Sequence, residues 1–268
     1  MKTICRTVTD DAAIFPGKNV NMTAAAKKYM KGRTALVTGG ARGIGEAAVR
    51  KFAKNGYTVI IACNSSAEHA YEMVSQMQGQ GINCGAFQGD LSAPGAAEQL
   101  YLWCRKCYGF VDTVVNNAGI SHFNLTTSDT PEDYNKVMNT NFGSVFNICR
   151  LFARDMISRE TGSIVNVSSV WGERGASMES LYSASKAAVI GYSKAISREL
   201  KPSGIRVNCV LPGFVLTDMN AAFSEERRSE ILKSMRQPRA LNPEEIAEII
   251  FTVAESESTG KIIKAYRV

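Results

Sequence analysis

Histidine is nearly absent from the chain: its 268 residues carry only His69 and His122. A serine hydrolase needs a base beside its nucleophile. Neither a G-x-S-x-G elbow nor a histidine placed to serve one occurs, which excludes hydrolysis by that route. Long apolar runs are missing too. Nothing approaches the ~18–20 residues that cross a bilayer, so no membrane span is expected. The N-terminal segment lacks the ~7–15-residue apolar core of a signal peptide, and its acidic pair, Asp10 and Asp11, suits a transit peptide badly. No repeat, low-complexity tract or long linker divides the chain. That argues one large domain rather than an array.

Charge is sparse outside the N-terminus. The net charge is +6, but seven basic residues lie between Met1 and Arg33 against only Asp10 and Asp11. The remaining body is close to neutral, a poor electrostatic match to nucleic acid. Residues 1–30 are expected to be a disordered extension, with the folded domain running from 31 to 268. The seven cysteines are odd in number and scattered through apolar segments, as in a cytoplasmic protein with reduced thiols. Cys104 and Cys107 form a CxxC without a second ligand pair or a helix N-terminus nearby, so packing is expected of them rather than zinc or redox chemistry.

What is present is an ordinary globular composition, 45% hydrophobic and 21% charged, arranged in a regular alternation. Short β-branched runs fall at Thr34–Thr38, Tyr57–Ala62, Cys84–Gln88, Thr113–Val115, Ser163–Val167, Arg206–Val210 and Lys261–Ala265. Helical patterns lie between and after them, at Ile44–Asn55, Ala67–Gly81, Gly95–Tyr108, Pro131–Ser158, Glu179–Leu200, Ser224–Met235 and Pro243–Ala254. Strands alternating with helices long enough to cross over predict an α/β fold: one doubly wound domain with a seven-stranded parallel sheet. Ligands of such sheets bind beyond the carboxyl ends of the strands.

The first strand runs into "TGGARGIG", Thr38 to Gly45, which opens the first helix. Gly39, Gly43 and Gly45 allow a tight turn and close approach of a pyrophosphate, with Arg42 and Ile44 between them. In this strand–turn–helix context it reads as a dinucleotide turn of a Rossmann-like domain rather than a plain strand-to-helix turn, and it lacks the Gly-Lys-Ser/Thr ending of an ATP-handling phosphate loop. An acid usually follows the second strand of an NAD site, to hold the ribose 2′-hydroxyl. None lies between Ile60 and Ala67, where Asn64 occupies the turn. Arg42 is placed instead to pair with a 2′-phosphate, which favours NADP(H) over NAD(H). Asp90 and Leu91, closing the third strand, are candidates for the adenine end.

Ser169 ends the fifth strand, and Tyr182 and Lys186 follow four apart on a helix. That spacing puts phenol and amine on one helix face, about 6 Å apart along the axis. A free phenol titrates near pKa ~10, and a neighbouring ammonium is expected to lower it. The pair can then exchange a proton with a substrate oxygen that Ser169 holds.

Together these motifs resemble the short-chain dehydrogenase/reductase family from Met30 onward. "TGGARGIG" is similar to its cofactor turn, "NNAG" (Asn116 to Gly119) to the segment after its fourth strand, and "MNTNFGSVF" to the helix bearing a fourth catalytic residue, here Asn141. "YSASK" and "RVNCVLPGFVLTDM" match its active helix and the segment after the sixth strand. The resemblance implies a catalytic set of Asn141, Ser169, Tyr182 and Lys186, with Asn141 supporting a water that links the lysine to solvent. It implies dinucleotide contacts at Asn117, Ala118, Gly119, Pro212, Gly213 and Thr217, and at Tyr182 and Lys186 themselves. Within the family the chain resembles 3-oxoacyl-acyl-carrier-protein reductases, and the loop before Tyr182 is similar to that of elongation factor P 5-aminopentanone reductases. Expected are reduction of a small or carrier-bound carbonyl, a homo-oligomer (dimer or tetramer), and no metal. A non-catalytic nucleotide-binding member of the fold is the competing reading. The C-terminus departs from the family: Tyr266-Arg267-Val268 stands where Gly-Gly usually follows the last strand.

Overall fold

The computed structural model describes residues 32–221 and 223–266; the N-terminal extension expected over 1–30 lies outside them. Seven strands form one parallel sheet: β1 (Thr34–Thr38), β2 (Thr58–Cys63), β3 (Cys84–Gln88), β4 (Thr113–Asn116), β5 (Gly162–Val167), β6 (Ile205–Leu211) and β7 (Ile262–Lys264), in the spatial order β3-β2-β1-β4-β5-β6-β7. The doubly wound seven-stranded sheet anticipated above is therefore present.

Neighbouring side chains on a strand face opposite ways, and both faces are covered. Ala35 and Val37 of β1 pack into one apolar cluster with α1 (Gly43–Lys54), α2 (Ala67–Gly79) and α9 (Pro243–Glu255). Leu36, between them, packs into the other, against α3 (Pro94–Tyr108), α5 (Ser144–Ser158) and α7 (Ser180–Leu200). Strands buried on both faces need no polar alternation, which is why β1 and β2 read as near-continuous β-branched runs. Leu36, Ile60 and Ile61 are wholly buried, each worth ~1.5–3 kcal/mol.

The strand order reverses between β1 and β4, which are paired with Thr38 opposite Asn116. Outside the carboxyl ends of these strands the flanking segments diverge and leave a crevice. Two local departures from the expected elements matter to it. The helical pattern over Pro131–Ser158 is not one helix: α4 (Pro131–Met138) passes through a π-turn at Asn139–Gly143 before α5. And the loop after Ser169 holds a short helix, α6 (Val170–Arg174), whose N-cap is Ser169 itself, its hydroxyl accepting the Trp171 amide at 3.1 Å. Cys104 and Cys107 sit near the C-terminal end of α3, where Cys104 is buried in the second apolar cluster and Cys107 packs against it; burial pushes the Cys104 thiol well up.

Candidate active site

The crevice holds a hollow of about 580 Å³. It is lined by Gly39, Arg42, Gly43, Ile44, Asn64, Asp90, Leu91, Asn117, Ala118, Gly119 and Thr217, all expected from the sequence. Gly39 and Gly43 have φ of 62° and 53°, a region side-chain-bearing residues avoid. A Cβ on Gly39 would lie 2.9 Å from the Ala118 Cα, so the glycine turn and the "NNAG" segment touch backbone to backbone. Thr38 secures that contact: its hydroxyl accepts the amides of Asn117 and Ala118 at 3.0 and 3.1 Å. The Asn117 side-chain amide donates in turn to the carbonyls of Thr38 and Gly39, both at 3.2 Å.

The N-cap of α1, Arg42, makes no side-chain cap hydrogen bond, so the first-turn amides and the positive end of the helix dipole face the hollow. That donor set, with the glycine-lined cradle, fits the pyrophosphate of a dinucleotide. Gly45, the third glycine of the motif, does not line the hollow. A Cβ there would fall 2.0 Å from the Gly39 carbonyl oxygen, so its lack of a side chain serves helix-to-turn packing. Gly213 is similar: a Cβ would meet the Gln237 side-chain oxygen at 2.0 Å. Pro212 likewise stands outside the lining, whereas Ser65, Ser66, Ser92, Ser121 and Thr140 belong to it and carry no motif that announces them. Asp90 lines the hollow while its carboxylate accepts the Ser92 amide at 3.0 Å, so it shapes its own turn as well.

Two of the four expected catalytic residues, Asn141 and Lys186, meet next to Gly119; Tyr182 adjoins Lys186, and Ser169 adjoins Tyr182. A Cβ at Gly119 would lie 3.2 Å from both the Asn141 side-chain oxygen and Lys186 Nζ. Asn141 is wholly buried. The π-turn places it so that its oxygen accepts the Ile120 amide at 2.7 Å while its nitrogen donates to the Ile120 carbonyl at 3.0 Å and to Ser185 Oγ at 2.9 Å. Lys186 Nζ donates to the Val167 carbonyl at 3.1 Å and stands 5.9 Å from the centre of the Tyr182 ring. Ser168 holds the helix behind it, donating to the Lys186 carbonyl at 2.7 Å. Ser169 lies close enough to Tyr182 to favour its ionised form, so the loop between them does fold back.

One expectation is corrected. The phenol is not acidified here: burial, which outweighs the opposing influence of Ser169, pushes Tyr182 up to about 12. Burial likewise pushes the Lys186 ammonium down to about 8. Both charged forms lose hydration in the cleft floor, and the ammonium, engaged with the Val167 carbonyl, does not offset that for the phenol.

A family model described as short chain dehydrogenase matches residues 33–228. The chain belongs to the short-chain dehydrogenase family. It is 37% identical over 236 residues to the 3-oxoacyl-[acyl-carrier-protein] reductase of Chlamydia muridarum, covering 86% of this chain and 94% of that one. The reductase of the same name from Escherichia coli is 36% identical, over 85% and 92% of the two chains. An uncharacterized oxidoreductase of Bacillus subtilis is also 36% identical, over 86% and 96%. This short-chain dehydrogenase is an oxidoreductase resembling those acyl-carrier-protein reductases. Among its described residues no helix is long and apolar enough to cross a membrane.

Proposed function

We propose that the chain is an NADP(H)-dependent reductase of a 3-oxoacyl thioester, converting its ketone to an alcohol in the cytoplasm, and that it works as a homo-oligomer, dimer or tetramer. The observation carrying this reading is the meeting of Asn141 and Lys186 at Gly119, which lines the dinucleotide hollow, with Tyr182 beside Lys186 and Ser169 beside Tyr182. A reduced nicotinamide dinucleotide bound in that hollow supplies a hydride. The chain supplies everything else. The α1 N-terminus and the glycine turn hold the pyrophosphate, and Lys186 binds the nicotinamide ribose.

Ser169 orients the substrate carbonyl and stabilises the oxygen as negative charge develops on it. Tyr182 is protonated at neutral pH, the state a proton donor needs, and gives that proton to the same oxygen. Lys186, with a pKa of about 8, is mostly protonated at neutral pH. The phenolate left behind therefore has a cation 5.9 Å from its ring. Asn141 holds the Ile120 backbone beside the lysine, and a water there would connect Lys186 to solvent for reprotonation.

Support for the phosphorylated dinucleotide comes from the β2 end. Asn64, Ser65 and Ser66 line the hollow there with no carboxylate to repel a 2′-phosphate, and Arg42 lines it too. The test is the fall in absorbance at 340 nm with NADPH or NADH and acetoacetyl-coenzyme A as the thioester. Turnover with NADPH well above that with NADH is expected. Equal use of the two dinucleotides would overturn the cofactor assignment, and reduction of aminoketones or steroids in preference to the thioester would overturn the substrate assignment.

A further inference from the structure

The loop after β4 reaches the catalytic helix by a route the reaction scheme above does not use. His122 Nε2 lies 2.7 Å from Asp129 Oδ1. The pair is well shielded, with side-chain exposures of 18% and 10%. The other Asp129 oxygen accepts from Ser180 Oγ at 3.2 Å, and Ser180 Oγ accepts from Thr126 Oγ1 at 2.9 Å. Ser180 is the first residue of α7, two before Tyr182. The Asn124 amide donates to the Met178 carbonyl at 2.7 Å, pairing the same two segments through their backbones. At its other end the loop is gripped by Asn141 through both backbone groups of Ile120.

We infer that His122 is a positioning residue: through Asp129 and Ser180 it fixes the first turn of α7 and thereby the placement of the Tyr182 hydroxyl against Ser169. The inference rests on the proposed role of Tyr182. Three features single out this chain of contacts. It joins the loop that Asn141 grips to the helix that carries Tyr182 and Lys186. It is shielded enough for each hydrogen bond to matter, since losing one partner leaves the other unsatisfied. And α7 otherwise begins weakly, because its N-cap Glu179 makes no side-chain cap hydrogen bond. Met178, just before it, has a φ of 64°, a conformation that costs energy outside glycine and persists only where neighbours enforce it. The Asn124–Met178 bond and the His122–Asp129–Ser180 chain are among those neighbours, beside the Ala176 amide that donates to Ser183 Oγ at 3.2 Å. Asp133, close enough to form a cluster with the pair, is occupied in capping α4, where it accepts from Thr130.

The test compares His122→Ala, His122→Gln and Tyr182→Phe in the full chain. Acetoacetyl-coenzyme A and NADPH serve as probes, and hydrogen exchange is followed over residues 176–184. A misplacement near 1 Å costs up to ~100-fold, so His122→Ala should lower kcat about 10- to 100-fold while the KM for NADPH stays within about twofold. Exchange of the first α7 turn should speed about tenfold, without a matching change elsewhere. Glutamine, whose amide can still donate to Asp129, should restore most of both. Unchanged kcat and exchange in His122→Ala would overturn the inference, as would a uniform rise in exchange that glutamine does not rescue. The Tyr182→Phe arm separates the two readings. If it turns over normally, the catalytic assignment fails, whereas its inactivity beside a normal His122→Ala sinks only the positioning role.

Discussion

Lys186 should weaken the fold that it equips for chemistry. Its side chain is 4% exposed, and burial brings its pKa to about 8 from an ordinary 10.5. At 1.4 kcal/mol per unit, keeping it charged inside the protein costs about 3 kcal/mol near pH 7. Its hydrogen bond to the Val167 carbonyl returns about 1 kcal/mol. Methionine has similar length and volume and carries neither the charge nor the bond. Lys186→Met should therefore abolish turnover yet be more stable than the parent by about 2 kcal/mol near pH 7 without dinucleotide.

The pH dependence gives a second handle. The folded pKa lies below the unfolded one, so the unfolded chain binds more protons between roughly pH 8 and 10.5, and this group's penalty fades as pH rises through that window. The gap between variant and parent should shrink to under about 1 kcal/mol, or reverse, near pH 10. Other groups move the opposite way over the same range. The buried thiols of Cys63 and Cys84, pushed up to about 11, weaken the fold as they are forced to ionise. They do so in both proteins, so the difference between them is the quantity to read. Urea unfolding followed by circular dichroism near pH 7 and near pH 10 measures it. A methionine variant less stable than the parent near neutrality, or a gap that ignores pH, would refute the reasoning.

Arg42→Ala should raise the KM for NADPH about tenfold through loss of a charge-assisted contact, with the KM for NADH unmoved; an equal rise for both would show that Arg42 does not read the 2′-phosphate. Gly45→Ala puts a Cβ 2.0 Å from the Gly39 carbonyl. The cost should reach 1–3 kcal/mol or about that order, visible as a lowered melting temperature, and an unchanged one would contradict the packing role. Tyr266→Phe removes hydrogen bonds with Arg174 at 3.1 Å and Glu173 at 3.3 Å; about 1 kcal/mol of stability should go, and none lost would mean that these two bonds add nothing to the β6 pairing and packing that hold the C-terminal strand.

The sheet was legible because its strands are buried on both faces and its helices carry one apolar stripe each, so period and burial agree. Local backbone irregularity was not. The pattern over Pro131–Ser158 remains apolar in step with a helix across the π-turn, and one inserted residue per turn leaves no compositional mark. Yet that turn aims Asn141. Likewise α6 is only five residues long, and Trp171-Gly172-Glu173 reads as loop. Gly172 is in fact obligatory there, because a Cβ would meet the Lys186 carbonyl carbon at 2.7 Å. In the site, motif spacing anticipated which residues meet, but not what burial does to them. Four-residue spacing put Lys186 beside Tyr182 correctly. The same spacing could not show that the amine would engage the Val167 carbonyl and leave the phenol with a raised pKa. Gly45 and Gly213 show a related limit: a motif glycine can be required by the packing of protein on protein, which the motif alone does not show.

The account's central claim is that Tyr182 delivers the proton to a carbonyl in this cleft. Purified Tyr182→Phe, assayed with NADPH and acetoacetyl-coenzyme A alongside a fluorescence titration of NADPH, tests it most directly. The predicted result is a kcat lower by at least ~100-fold with dinucleotide affinity within about threefold of the parent's. Near-parental turnover in a variant that still binds NADPH would contradict it.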